Sequence, residues 1–348
     1  MMNINYQDET VSIQDEAAAL FVLDQAAGFT YAGALRAAAS VCVADHLANG
    51  PQNASELALA TGTDAQKLYR VLRLLVSRGI FEELDDGTFK LTAAGHALRS
   101  DSPISVRKGV LMLTDETFWR PSGNFANIIR SADKNPVFRE IFGTTFFEHW
   151  ANKGDLLEDF HDGMSSMSEA ENRFLVKSYE FPEGATVVDV AGGFGGLILK
   201  VMRDNPSVRG ILFDQPHVLS RHRLGELGDD KRWELASGSF FESCPRGDIY
   251  MLKYIMHDWS DDDCVRILSN CRKAMSKGGR VLIMDPVIPA KNTPHTGKLF
   301  DLLVMAIYDG GRERTEDEFR KILDLSDLRL NRVVDTGSYN SIVEAFAK

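Results

Sequence analysis

The chain is poor in cysteine, with four in 348 residues, at positions 42, 244, 264 and 271, and no CxxC pair. That scarcity excludes a disulfide framework and a thiolate zinc site, and it fits a reducing compartment. Proline is scarce too, 11 residues against 28 glycines, which excludes a fibrous or low-complexity chain. No uninterrupted apolar run reaches the roughly 18 residues that mark a membrane-spanning helix. The opening MMNINYQDETVSIQDE has neither a basic nor an apolar leader segment. The expectation is a cytoplasmic protein that is neither exported nor membrane-spanning. Positive charge is also short: 39 Lys and Arg face 50 Asp and Glu, a net charge of −11. A chain built chiefly to bind nucleic acid would carry the opposite excess.

What is present is a folded composition, 44% hydrophobic and 26% charged, in a chain too long for one core of ~100–150 residues. Residues 12–50 hold two alanine-rich helical runs ending at Asn49-Gly50-Pro51. So much small-residue surface needs a partner, either the rest of the chain or a second copy. In residues 54–92, ASELALATG reads as a short helix. A second helix follows from Asp64 to Arg78, with Leu68, Val71, Leu72 and Leu75 on one face. IFEEL-DDG-TFKLT alternates around a hairpin turn. Helix, turn, helix and two-stranded wing make a winged helix-turn-helix. Lys67, Arg70 and Arg73 would suit DNA, but Glu82, Glu83, Asp85 and Asp86 make the wing acidic, and an acidic wing repels phosphate.

Residues 103–180 are helical and dense in large apolar side chains, among them Phe118, Trp119, Phe147, Trp150, Phe160 and Met164. Such density serves a core, and equally the lining for a flat aromatic ligand. From 184 on, β-rich runs alternate with helices: ATVVDVA, VRGILFD, RWELASG, GDIYMLKYI and RVLIMDPVI fit βα units and a parallel sheet. RLNRVVDT and SIVEAFA leave no room for a crossover helix, so they form a terminal antiparallel hairpin. The domain boundaries expected are 1–102, 103–180 and 181–348.

The chemistry concentrates at the strand ends. The run from Val187 through Asp189 to Gly192, Gly193 and Gly195 is a strand entering a glycine turn and then a helix. Such a turn lets the backbone approach a cofactor. Asp214, ending the next strand, is placed to accept ribose hydroxyls. These features point to an adenosine-containing cofactor, and a nicotinamide enzyme would share the glycine turn. LKYIMHDWSDDDC puts His257 and Asp258 in the loop at the carboxyl edge of the sheet. Ser260 then caps a helix whose first turn is acidic. A histidine there suits a base, its ordinary pKa being near neutral. Asp285 and Glu313 are two acids able to answer it. No HxH or HExxH spacing supports a metal among His257, Asp258 and Asp285.

LKYIMHDWSDDDC and GGRERTEDEF resemble the S-adenosylmethionine-dependent small-molecule O-methyltransferases. The likeness is to the group shared by plant caffeate and flavonoid, acetylserotonin, and bacterial antibiotic and phenazine enzymes. It covers essentially the whole chain. It implies a Rossmann-like α/β catalytic domain with a seven-stranded sheet, behind a mainly helical winged-helix domain that dimerises and does not bind DNA. It implies S-adenosylmethionine, no metal, no membrane, and an aromatic hydroxyl acceptor. Asp189 to Gly195 and Asp214 would hold the methionine and ribose parts. Phe240 would flank the adenine beside Ser239, Lys253 would line the cofactor site, and Ser168 would approach the methionine carboxylate. His257 would be the general base, flanked by Asp285 and Glu313, while Asp258, Met164 and Met305 would touch the acceptor. The chain departs from the group's pattern at Ala191, where glycine is usual, at Ser239, where aspartate is usual, and at Asp285, which replaces a common glutamate. If Ala191 and Ser239 cripple cofactor binding, the alternative is a winged-helix regulatory or interaction protein; the resemblance also allows hydroxylation or decarboxylation with the cofactor retained as a scaffold, against which the intact His257 argues.

Overall fold

A computed structural model describes residues 13–131, 136–152 and 155–348, and divides the chain into two compact units, Met1–Thr114 and Asp115–Lys348. The first boundary therefore lies about a dozen residues beyond the expected 102, and 103–180 is not a unit of its own. The helix Arg107–Leu113 belongs to the first unit because the Arg107 guanidinium donates to Ala39 O (2.8 Å) and Arg36 donates to Leu111 O.

In the first unit, Asn53 caps the helix Ala54–Thr61 through a reciprocal box with Glu56, and Asp64 caps Ala65–Ser77. Each side-chain oxygen takes an N–H that the first helical turn leaves orphaned. Leu68, Leu72 and Leu75, one face of the second helix, are buried with Leu57, Phe81 and Phe89. Strands β1 (Gln52–Asn53), β2 (Phe81–Glu83) and β3 (Thr88–Leu91) form an antiparallel sheet in the order β1-β3-β2. This is the expected winged helix. Helices Ile13–Ala26 and Gly28–Ser40 precede it. The 27-residue stretch Gln14–Ser40 is long and apolar enough, by length and composition, to cross a membrane. Asp15, Glu16, Asp24 and Gln25 interrupt it, so it is apolar on average and the expectation of no uninterrupted apolar run stands.

In the second unit, strands β4 (Thr186–Val190), β5 (Arg209–Asp214), β6 (Trp233–Ser237), β7 (Gly247–Lys253), β8 (Met275–Asp285), β9 (Leu328–Asp335) and β10 (Ser341–Ala347) form one sheet, ordered β6-β5-β4-β7-β8-β10-β9. β6, β5, β4, β7 and β8 are parallel, and β10 runs antiparallel to β8 and β9. Val187, Val188, Tyr250, Met251, Leu282 and Ile283 are fully buried, as continuous apolar strands covered on both faces should be. β8 starts five residues before the expected RVLIMD run, because Met275 pairs with Gly247 ahead of a register shift. The order reverses between β4 and β7, so the carboxyl ends of β4, β5 and β7 border the crevice where open α/β sheets bind ligands.

Candidate active site

The carboxyl ends of β4 and β5 build one half of the site. Asp189 is buried, and burial pushes its pKa up to about 7, although it accepts from Ile198 N (3.3 Å). A Cβ on Gly192 would stand 2.5 Å from the Asp189 carboxyl carbon, so this acid allows only glycine there. Gly193 has φ +60° with open space where a side chain would project, and its N–H donates to Asp214 Oδ2 (2.9 Å). Asp214 Oδ1 accepts from Gln215 N (2.6 Å), and burial still raises this acid above its ordinary pKa. Ala191, with φ +53°, adopts the left-handed conformation natural to glycine.

A cavity of about 580 Å³ extends from this turn to His257. Asp189, Gly192, Gly193, Asp214, Ser239, Phe240, Lys253 and Ser168 line it on the cofactor side. Phe147, Trp150, Phe160, Met164, His257 and Asp258 line it as well. Three expected acceptor contacts and one cofactor contact lie outside the lining. Phe118 is core, packed edge-on to Phe146 at 5.5 Å, and Trp119 is 60% exposed. Met305 sits on the helix Gly297–Ile307 away from the cavity, where Tyr308 stands instead. Gly195 turns toward Leu224 and Leu212, so it shapes the turn from behind.

Lys253, buried at the end of β7, donates to Ser168 O, Ser168 Oγ and Asn172 Oδ1, each at 3.0 Å, and pairs with Glu171 at 3.2 Å. Burial lowers its pKa against the pull of Glu171. The ammonium has only three protons, so it anchors Ser168 and has no donor to spare for a ligand. Asn172, 1% exposed, keeps its Nδ2 without a partner among the described residues.

His257 lies in the short 3-10 turn Met256–Asp258 after β7. Its Nδ1 is 2.8 Å from Glu313 Oε1, and its Nε2 is 3.2 Å from Asp258 Oδ1. Burial lowers its pKa, but the charges of Glu313, Asp258 and Asp285 outweigh burial and carry it up to about 10. The near-neutral value expected from the residue type is thus corrected: three carboxylates make this imidazole hold its proton. Burial in turn carries Asp258 up to about 7 and Asp285 to about 6. Asp285 Oδ1 accepts from Tyr254 N (2.8 Å). Of the two acids expected to answer His257, Glu313 makes the direct hydrogen bond and Asp285 acts on the ring through space.

The loop is gripped by residues that sequence reasoning passed over. Arg312 N donates to His257 O (2.9 Å). Arg314, fully buried, donates to Met256 O (2.5 Å), Trp259 O (2.9 Å) and Asp261 Oδ1 (2.7 Å). Tyr254, left-handed at φ +57°, stacks on His257 at 5.3 Å and shares the buried Glu171 with Tyr339. The motifs themselves contain Tyr254 and Arg314, so their position was a signal. Glu171 offered none, because its meaning depends on a helix packing against a strand end.

Residues 123–327 match the family model described as O-methyltransferase domain, and residues 23–101 match that described as O-methyltransferase dimerisation domain. The phenazine O-methyltransferase PhzM of Lysobacter antibioticus is 35% identical, over 93% of this chain and 95% of that protein. The mitomycin biosynthesis 6-O-methyltransferase of Streptomyces lavendulae is 34% identical, over 88% of each. Among solved structures, CalO1, a methyltransferase in calicheamicin biosynthesis in its SAH-bound form, superposes with a TM-score of 0.89 at 42% identity, covering 97% of this chain and all of that one.

Proposed function

Because the chain belongs to the O-methyltransferase family, we propose that it transfers the methyl group of S-adenosylmethionine to a hydroxyl of an aromatic small molecule, with His257 as general base. The observation that carries this reading is one aromatic-walled cavity joining the glycine turn at Gly192 and Gly193 to the His257–Glu313 pair. The acceptor class follows from the flat apolar walls, and phenazine, polyketide and simple phenolic skeletons all suit them. The N-terminal unit carries the dimerisation domain, and the protein is a homodimer through it.

The cofactor fits the residues present. Gly193 leaves open space at the turn, Asp214 stands at the β5 end to meet a ribose, and Phe240 and Phe241 offer flat walls for adenine. Asn172 Nδ2, beside Gly196, lacks a partner among the described residues, so a carboxylate there would answer a buried donor. Ser239 lends its Oγ to Phe241 N (3.3 Å), which orders this wall in place of the family's aspartate. When bound, the cofactor supplies an electrophilic methyl sulfonium, and attack by an oxygen needs no metal.

The protein's residues manage a proton and an orientation. Glu313 takes the Nδ1–H of His257, which leaves Nε2 as the nitrogen that receives the acceptor's proton. The three carboxylates then stabilise the imidazolium, and the acceptor oxygen is held as an oxyanion. A pKa raised to about 10 matches that of an ordinary phenol (about 10), so the proton moves at little cost. The Tyr308 hydroxyl donates to Asp258 and fixes that carboxyl beside the ring. Orientation and exclusion of water supply the rest of the rate. The test is turnover of labelled cofactor against a panel of phenols. Methylated product on a hydroxyl is expected, and cofactor binding without transfer to any of them would overturn the reading.

A further inference from the structure

Cys244 and Cys271 are 27 residues apart in the chain, and their sulfurs stand 3.7 Å from each other. Cys271, on the helix Asp261–Ala274, is fully buried, whereas Cys244 is half-buried in the loop between β6 and β7. Neither lines the cavity, and the chemistry above uses neither. The hydrogen bond with Cys244, together with burial, pushes the Cys271 thiol well above its ordinary pKa. Cys271 therefore keeps its proton and turns its S–H to Cys244, the sulfur that solvent can reach. The loop that carries Cys244 also carries Ser239, Phe240 and Phe241 on the cavity wall. It is tied down on both sides of Cys244. Asn270 Nδ2, next to Cys271 in the chain, donates to Phe240 O (2.9 Å), and the Tyr250 hydroxyl of β7 donates to Pro245 O (2.8 Å). Phe240 and Phe241 meet edge to face at 4.8 Å, so a displacement of one reaches the other.

Two thiols that only filled space would be inert apolar groups. A sulfur open to solvent and in contact with a second, buried one is the arrangement of a reversible thiol pair, in which one cysteine meets the oxidant and its neighbour resolves the product. We propose that Cys244 and Cys271 are a modification site, a dithiol that a hydroperoxide oxidises to a disulfide, and that the link draws the loop onto the helix Asp261–Ala274 and loosens the wall Phe240 and Phe241 give the cofactor. The Cys244 sulfur attacks one oxygen of the hydroperoxide. The O–O bond breaks, and the departing oxygen leaves as an alcohol, or as water from hydrogen peroxide, carrying the thiol proton. The Cys271 sulfur then attacks the sulfenic acid on Cys244. The S–S bond forms, the S–O bond breaks, and the hydroxyl leaves as water with the proton of Cys271. The two sulfurs together give up two electrons, and the peroxide takes them. A disulfide holds its sulfurs at about 2.0 Å, closer than they stand here, so one partner must move. The helix is the fixed one, because Cys264, Ile267, Leu268 and Cys271 all lie in the core. The loop, with the adenine wall on it, does the moving.

The test treats the full-length protein with hydrogen peroxide, blocks the remaining thiols by alkylation, and maps the peptides by mass spectrometry. A peptide pair linked through Cys244 and Cys271 is expected, and a dithiol reductant should remove it. Free or over-oxidised cysteines at both positions, with no linked pair, would overturn the site, and this readout needs no variant. In Cys271→Ser the sulfenic acid on Cys244 has no resolving partner, so dimedone should tag it. In Cys244→Ser no link should form. Calorimetry with the demethylated cofactor then compares reduced and oxidised protein. Oxidation should weaken binding roughly 3–10-fold, and the dithiol should restore it. Cys244→Ser should bind as the reduced protein does, before and after peroxide. A loss of affinity that persists in Cys244→Ser, or that the dithiol does not reverse, would come from methionine oxidation and overturn the coupling. The coupling rests on the adenine placement above, whereas the linked peptide does not. A link with unchanged affinity therefore overturns the coupling alone. Failure of the reduced protein to methylate any phenol overturns the methyl-transfer reading and leaves the thiol site standing.

Discussion

Glu313 Oε1 stands 2.8 Å from His257 Nδ1, although 56 residues separate the two in the chain. The contact is one stitch of a strap. Arg312 binds the backbone carbonyl of His257, Glu313 its ring, and Arg314 the carbonyls on either side. Three consecutive residues thus fix the position, the tautomer and the charge of the imidazole, an arrangement that preorganises a base before any ligand arrives.

Replacing His257 with Ala should lower methyl transfer by about 10²–10⁴ and leave affinity for the demethylated cofactor within a few fold. Calorimetry and single-turnover rates with a phenol of pKa near 10 check both halves. Full activity at pH 7 would remove His257 from the mechanism.

The pH dependence separates the roles of the acids. With the His257 pKa carried up to about 10, the proton-accepting form gains population as pH rises, so kcat/KM should climb across pH 7 to 9. Glu313→Gln removes the hydrogen-bonded carboxylate, which must lower the imidazole pKa and move the rising limb down by about one unit or more. A limb in the same place in both proteins would belong to the acceptor's own ionisation.

The Arg314 side chain should prove structural. Arg314→Met strips the guanidinium from the carbonyls of Met256 and Trp259 and leaves them the weak Cys264 thiol and, for Met256, the long Trp259 N–H bond, a loss of about 2–3 kcal/mol in unfolding free energy, read from denaturant midpoints. Activity should fall further than stability does, since the loop that carries His257 is then unpinned.

Ala191 offers the opposite sign. Held at φ +53°, it pays for a conformation that glycine adopts freely, so Ala191→Gly should relieve about 1 kcal/mol of strain and raise the melting temperature or cofactor affinity. A lowered midpoint together with weaker binding would show that its methyl group packs usefully.

In the N-terminal unit, Leu20, Phe21, Val22 and Leu23 are each at least 63% exposed. Neighbouring helical positions point in different directions, so this apolar helix is bare all round and needs a second copy. Leu20→Asp with Phe21→Asp should give a monomer by light scattering at micromolar concentration, with unchanged helical circular dichroism. A persisting dimer would move the interface elsewhere.

The sequence by itself determined whatever is local and periodic. The capped helices of the winged unit, the strand-turn-helix at Asp189 to Gly195 and the terminal hairpin follow from spacing, because caps, glycine turns and period-two strands act within a few residues. The motif around His257 and the one around Glu313 were also legible as chemistry. Tertiary structure decided which acid touches which nitrogen. It gave Glu313 the hydrogen bond, left Asp285 to hold Tyr254 N, and turned a near-neutral histidine into a strong proton holder by enclosing it with three carboxylates. It likewise sorted the aromatics, sending Phe118 to the core and Trp150 to the cavity. Burial and charge proximity are sums over neighbours far apart in the chain, and no local pattern encodes them.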